Sequence, residues 1–423
     1  FLSTENNKTQ EPIFGPIPLT PHALNDRQVG KGDRKTWFEL AHKLRLRQTF
    51  PGKIFCLGKL PGQIRLAHRS CQRLPVVGYR FGRWITQHHM TSSKSIVFDL
   101  SAAGGPFHDP ALLVAVSNHR DSILFDCGTL TGLRTRDLQR VRWLFLSHLH
   151  IDHLIGFDHL LRVRLFSELP LTVFGPPGTT DVIGHRLQGY AWNLTSGSPF
   201  KIEAFDLPSS TTQALSGTRF RCHNQFRPEP VGEKGGFPLK IDEGLSLSWQ
   251  AVDHGVSCYC YKLEKLFPPK FSPEIAESLG LKPGPWVKKL ISEPDFQMEV
   301  DGIKRDNCWL SERLLQPPER RTLGYLTDTR LEQPLFDKLK IFFRDTDKLV
   351  CESAYLASES EMARQNLHMT TAQVARLASE AEVGKLYLFH LSRRHMENGP
   401  EKHLQEVQEI FPAARLLTRR KGS

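Results

Sequence analysis

The chain has 423 residues, 39% of them hydrophobic, enough to bury the core of one large domain or two smaller ones. No run of about 18 apolar residues occurs, which argues against a membrane span, and the eight cysteines, at positions 56, 71, 127, 222, 258, 260, 308 and 351, form no Cys-x-x-Cys pair, which argues against a disulfide framework or a zinc ribbon and for a reducing, cytoplasmic setting. The net charge of +11 lies entirely in residues 1–94, which hold 16 Lys+Arg against 5 Asp+Glu; beyond them basic and acidic residues number 40 each.

Residues 1–94 read as a poorly ordered basic extension, with no periodicity beyond a short helical pattern over Trp37–Arg47. Its charge fits an arm that touches nucleic acid, its Arg-rich, acid-poor bias fits an organelle-targeting leader, and an inert extension fits equally. The chain opens on Phe1 rather than Met, which reads as a fragment or a processed form. From residue 95 the pattern changes. SIVFDL (95–100), ALLVAV (111–116) and SILFDCG (122–128) have strand character, and VRWLFLS (141–147) is the apolar run of a buried strand.

SHLHIDHLIG (147–156) follows that run directly and packs His148, His150, Asp152 and His153 into six residues. In extended chain, side chains alternate with period two, so His148 and His150 point the same way. Asp152 and His153 follow where the chain can curl back. One metal ion can take the first two histidines and a second the Asp and the last His. Imidazole nitrogen with carboxylate oxygen suits zinc. A loop between a strand and a helix supplies a rigid and accessible mount for such ligands.

The H-x-H-x-D-H order after a strand, with FDCG upstream, resembles the metallo-β-lactamase superfamily, an α/β fold built as a four-layer αββα sandwich. Further candidate ligands follow in order: His254 in AVDHGVSCYCY, Asp328 in LGYLTDTR and His390 in KLYLFHLSRRH. The resemblance implies that His148, His150 and His254 hold one Zn2+, that Asp152, His153 and His390 hold another, and that Asp328 bridges them, with Mn2+ or Mg2+ as substitutes. Asp126 would orient a ligand from behind. Within the superfamily the chain is similar to ribonuclease Z, the tRNA 3′-processing endonuclease, over roughly 95–415. VFGPPGT (173–179), CESAY (351–355), HMTTAQVARLA (368–378) and LGLKPGPWVKKL (279–290) carry that likeness.

The expectation is therefore a hydrolase domain over 95–423 that removes 3′ trailers from precursor tRNA, by attack of a metal-bridging hydroxide on a phosphodiester. Asp152 would accept the proton of the water, and His368, oriented by Glu352, would protonate the leaving oxygen. His368 precedes a capping box, Thr370-x-x-Gln373, that opens a helix with Val374, Leu377 and Ala381 on one face. The inserted arm at about 263–318 would contact tRNA through Lys282, Gly284, Pro285, Lys288 and Lys289, with Trp286 against bases. By resemblance it would reach across a homodimer. Ile151, Thr327, Cys351 and His395 depart from the family pattern, and the 101 residues between His153 and His254 point to an insertion near 185–245; none of this deletes a ligand, and the chain reads as a divergent member. Two rival readings stand beside it: a hydrolase of a small phosphodiester, thioester or lactone, which would not need the arm, and a nucleic-acid-binding protein with a silent site, which would not need all seven ligands.

Overall fold

The computed structural model describes residues 97–209 and 214–419. The basic extension and the Trp37–Arg47 helical pattern lie outside them. The described chain forms two large sheets. The first has eight strands in sequence order: β1 Phe98–Ala102, β2 Leu112–Val116, β3 Ser122–Phe125, β4 Val141–Phe145, β5 Leu171–Gly175, β6 Lys201–Asp206, β7 Leu215–Arg221 and β8 Pro228–Lys234. Strands β3 to β6 run parallel, and the outer pairs are antiparallel. β3 and β5 are buried along their whole length, as expected for parallel strands covered on both faces.

The second sheet joins β9 Leu239–Asp242, β10 Leu245–Asp253, β11 Ser257–Leu266, β16 Arg320–Leu326, β17 Lys348–Glu352, β18 Leu386–Phe389 and β19 Arg415–Leu416. Phe125, Phe145, Phe174, Tyr261 and Tyr325 fill the space between the sheets. On the outer face of the first sheet lie α1 Thr135–Gln139, α2 Phe157–Arg164 and α3 Thr179–Gln188, packed through Leu138, Leu160 and Ile183. Helices α7 Leu335–Phe342, α9 Thr371–Glu380 and α10 Glu401–Ile410 cover the second through Leu339, Leu377 and Val407. This is the four-layer αββα sandwich that the resemblance implied.

The predicted elements fall close to the observed ones, with physical reasons for the shifts. The third strand ends at Phe125 because Asp126 turns to φ 53°. The Thr370–Gln373 capping box forms as expected, each residue bonding back to the other, and Val374 and Leu377 are buried. The stretch 185–245, expected to hold an insertion, contributes strands β6 to β8 to the first sheet and β9 to the second. The arm begins later than the sequence suggested, because β11 continues to Leu266 and buries Leu263 in the inter-sheet core. The segment 267–319 leaves between β11 and β16. It holds β12 Lys270–Phe271, β13 Gln297–Val300, β14 Ile303–Asp306, β15 Leu315–Gln316, and the helices α4 Pro273–Ser278, α5 Trp286–Ser292 and α6 Asn307–Leu314. Ala276, Leu290, Val300, Leu310 and Leu314 form its small core.

Candidate metal centre

The parallel strands of both sheets deliver their carboxyl ends to one place. Asp126 follows β3, and His148 and His150 follow β4. Asp328 follows β16, Glu352 ends β17, and His390 follows β18; His254 sits in the turn between β10 and β11. Strand ends are rigid, and the loops beyond them can present ligands without disturbing the ladder.

Ligand atoms of His148, His150 and His254 lie within 4.8 Å of one another, as do those of Asp152, His153, Asp328 and His390. Asp328 is buried between the two groups. Its Oδ2 lies 3.8 Å from His148 Nε2, 3.6 Å from His254 Nε2 and 3.2 Å from His153 Nε2, and its Oδ1 lies 3.2 Å from His390 Nε2. Every candidate ligand named from the sequence is thus brought together. Asp152 is the most open of the carboxylates, with its side chain 38% exposed.

The hydrogen bonds behind the histidines select their tautomers. His254 Nδ1 meets the Leu367 carbonyl at 2.9 Å, and a carbonyl only accepts, so Nδ1 carries the proton. His153 Nδ1 donates to Asp126 Oδ2 at 2.9 Å. Ser147 donates its hydroxyl to Asp126 Oδ2 at 2.8 Å and faces His148 Nδ1 at 3.0 Å, so that imidazole also donates backward. In all three rings Nε2 is left to face the cluster, which is the arrangement that outer hydrogen bonds impose on metal-binding histidines. Asp126, expected to orient a ligand, holds the ring of the candidate ligand His153. It also accepts from the Ser147 amide at 2.7 Å and from the Tyr325 hydroxyl at 2.7 Å.

The charges fit a cation. Burial, with His153 next to it, pushes His148 far down, so this ring offers a lone pair. Burial and the nearby His254 also lower His150. Burial opposes the charge on Asp328, yet His390 and His153 outweigh it and hold its carboxyl well below the usual range. For His153 burial works downward, but the carboxylates Asp328 and Asp126 prevail and raise it well above the usual histidine value. A buried anion that recruits a proton onto its neighbour is a site where a divalent ion can replace that proton. Asp126 and His390 both hold positive φ, 53° and 48°, a strained conformation for residues other than glycine that surrounding structure must enforce.

Beside the cluster, His368 Nδ1 bonds Glu352 Oε2 at 2.7 Å, while Glu352 Oε1 accepts the Thr329 and Met369 amides at 3.0 and 3.2 Å. Burial depresses the imidazole, but the Glu352 carboxylate more than reverses this and holds it at about 9. A nitrogen of His368 also stands within 4.8 Å of ligand atoms of His254 and Asp328, so the geometry by itself admits a ligand role too.

No family model matches the chain. A ribonuclease Z of Deinococcus radiodurans is 33% identical over 327 residues, spanning 75% of this chain and 97% of the relative. The chain belongs to the ribonuclease Z family. A ribonuclease Z of Geobacillus kaustophilus is 29% identical over 304 residues, covering 69% of this chain and 85% of that one. Among solved structures, the short form of human tRNase Z is 17% identical with a TM-score of 0.41, covering 71% of this chain and 93% of that one. As a ribonuclease Z family member with the metallo-β-lactamase fold, the chain is a metal-dependent hydrolase of the nuclease class that takes a divalent metal.

Three of the departures from the family pattern have local explanations. Thr327 donates its hydroxyl to Asp328 Oδ1 at 2.5 Å, an added hydrogen bond on the central carboxylate. Cys351 is buried under the second sheet, where burial raises its thiol well above the ordinary value. His395 bonds Glu359 at 2.9 Å. Sequence reasoning missed Ser147 and Tyr325. Ser147 had a signal, since it immediately precedes His148; Tyr325 had none, because a tyrosine in an apolar strand reads as core. The arm residues Lys282, Gly284, Pro285, Lys288 and Lys289 lie in the 267–319 segment and are not among the clustered side chains. The three lysines are exposed, whereas Trp286 turns inward: its Nε1 donates to the Lys282 carbonyl at 3.0 Å and its ring packs edge-on to Phe271. Among the described residues no helix is long and apolar enough to cross a membrane.

Proposed function

We propose that the chain is a zinc-dependent endoribonuclease that removes 3′ trailers from precursor tRNA. The observation that carries this reading is the buried Asp328 carboxylate, within 3.2–3.8 Å of histidine nitrogens from both ligand groups. In this reading His148, His150 and His254 would hold one zinc-class ion, Asp152, His153 and His390 would hold a second, and Asp328 would serve both; Mn2+ or Mg2+ could substitute. Such a pair supplies Lewis-acid stabilisation of phosphoryl charge and an activated water at neutral pH.

The chain's own residues handle the protons. The partly open Asp152 carboxylate takes the proton of the attacking water. His368 gives its proton to the leaving 3′ oxygen. Its Nδ1–H is held by Glu352, which fixes the ring and, by raising it to about 9, keeps it protonated at neutral pH. Cleavage leaves a tRNA with a 3′-hydroxyl and a trailer with a 5′-phosphate. The exposed Lys282, Lys288 and Lys289 and the Gly284–Pro285 turn bind phosphates of the tRNA body, away from the cleaved bond and across a homodimer, in the cytoplasm.

The test is to incubate pure protein with a 3′-extended precursor tRNA, map the new ends, and measure metal by elemental analysis. A single cut with these ends, with close to two ions per chain, is expected. Turnover of small phosphodiesters, thioesters or lactones without tRNA cleavage would establish the rival small-molecule reading. One ion or none in a folded, undialysed sample would remove the dinuclear site.

A further inference from the structure

A cavity opens directly beside the metal cluster. Asp152, His368 and His390 form its inner side, and its outer side is built by Phe107, His108 and Arg393. The outer residues have no part in the chemistry proposed above. They come from two loops on different sheets, the β1–β2 loop and the loop after β18, joined where Leu391 N donates to Pro106 O at 2.8 Å.

His108 is an exposed histidine held in one orientation. The Gly105 amide donates to its Nδ1 at 3.0 Å, so Nδ1 is the unprotonated nitrogen and Nε2 carries the hydrogen. Among the described residues Nε2 has no hydrogen-bond partner. The preceding glycines make room for this ring. A Cβ on Gly104 would stand 2.4 Å from His108 Cβ and 2.8 Å from Cγ, and one on Gly105 would stand 3.2 Å from Nδ1. The GGPFHD loop is therefore shaped around an imidazole that presents an N–H donor outward.

Arg393 shows the same design. Asp109 accepts from its Nη2, and a second oxygen of that carboxylate accepts from the Thr129 hydroxyl at 3.1 Å. The Arg393 side chain is still 67% exposed. An exposed ion pair of this kind contributes little to stability. It does fix the direction of a planar fork whose other N–H groups remain for an anion. Phe107 beneath is nearly buried, so it gives the cavity an apolar floor.

We infer that this cavity is a subsite for a backbone phosphate of the RNA strand next to the one cleaved, gripped by His108 Nε2–H and the Arg393 guanidinium. The subsite rests on the ribonuclease reading, because an RNA strand brings a second phosphodiester alongside the scissile one. Both donors are oriented before substrate arrives, so little is lost in ordering them on binding. Asp109 is a positioning residue that acts through Arg393.

The test compares His108→Ala, Arg393→Ala and Gly104→Ala with the wild-type protein on two substrates, 3′-extended precursor tRNA and bis(p-nitrophenyl) phosphate, which has one phosphate only. For each variant kcat/KM on the tRNA should fall about tenfold further than on the chromogenic ester, mainly through KM. Metal content should match wild type, and the salt slope of RNA binding should lessen by about one for Arg393→Ala. Asp109→Asn should reproduce part of the Arg393→Ala effect and add nothing to it in the double variant. Equal losses on both substrates would assign His108 and Arg393 to the catalytic assembly and overturn the subsite. Wild-type protein that cuts the tRNA with variants equal to it overturns the subsite alone. Wild-type protein that hydrolyses the ester and leaves the tRNA intact overturns the ribonuclease reading as well.

Discussion

The metal centre and the inserted segment are built on opposite principles. At the centre, side chains from six separate stretches converge, and nearly every polar atom has a defined partner: Asp126 alone engages Ser147, His153 and Tyr325. The segment 267–319 instead folds on itself, around five buried apolar side chains, and keeps its lysines in solvent. Its ends meet where Leu266 pairs with Arg320 between β11 and β16. Dense polar cross-linking makes a site that fails as a whole when one member is removed, whereas a local cluster on a two-strand stalk can be altered without reaching the centre.

Removing the residue shared by both ligand groups should break the centre most completely. Asp328→Ala is expected to lose both ions and all measurable hydrolysis, while His390→Ala keeps more metal, since Asp328 faces histidines of both groups and His390 faces one carboxylate. Elemental analysis of the two variants side by side decides it; equal metal in both would contradict the shared role.

His368→Ala separates chemistry from assembly. Its metal content should stay at the wild-type level while the rate falls about 10²–10⁴-fold. Loss of metal would make it a ligand. The pH profile gives a second check. An imidazole held at about 9 is protonated below that pH, so an acid at this position loses its proton as pH rises. The rate should decline above about pH 9, by roughly tenfold per unit, and this decline should be missing in the variant.

The inserted segment can be excised at its stalk. Joining Phe267, which packs on the inter-sheet core, to Glu319 through a short Gly/Ser turn should leave the fold and metal content unchanged, because the deleted core is a cluster separate from those of the sandwich. Turnover of a chromogenic phosphodiester should persist. Affinity for precursor tRNA should drop by about 10-fold or more at physiological salt, with a flatter salt dependence. An equal loss on both substrates would show that the segment supports the centre after all.

The smallest effect is expected from Tyr325→Phe. It removes one of the hydrogen bonds to buried Asp126 and should cost about 1–3 kcal/mol of stability, read from the denaturant midpoint. Weaker metal retention with little loss of stability would instead place the tyrosine's role in holding His153 through Asp126.

Much of the centre was legible in the sequence because its ligand types are dense and ordered. H-x-H-x-D-H after an apolar run admits few other readings, and the three later candidate ligands each follow a strand-like segment. The Thr370–Gln373 box was equally local, since a cap is decided within four residues. Strand boundaries were less so: β3 stops because Asp126 takes a left-handed turn toward the site, which no propensity at that residue announces. Tyr325 carried no mark of its task, because its hydroxyl meets a partner 199 positions away. Trp286 has the residue type for base stacking, and packing turned it inward. His108 shows the same division. The sequence by itself, through the order of its motifs and their resemblance to ribonuclease Z, pointed to the candidate ligands, the hydrolase class and the fold. Only the tertiary structure decided which carboxylate stands between the two histidine groups, which nitrogen of each ring faces the cluster, and that a Gly-Gly turn aims His108 outward beside the centre. Those outcomes depend on contacts between loops of two different sheets, which no local pattern encodes.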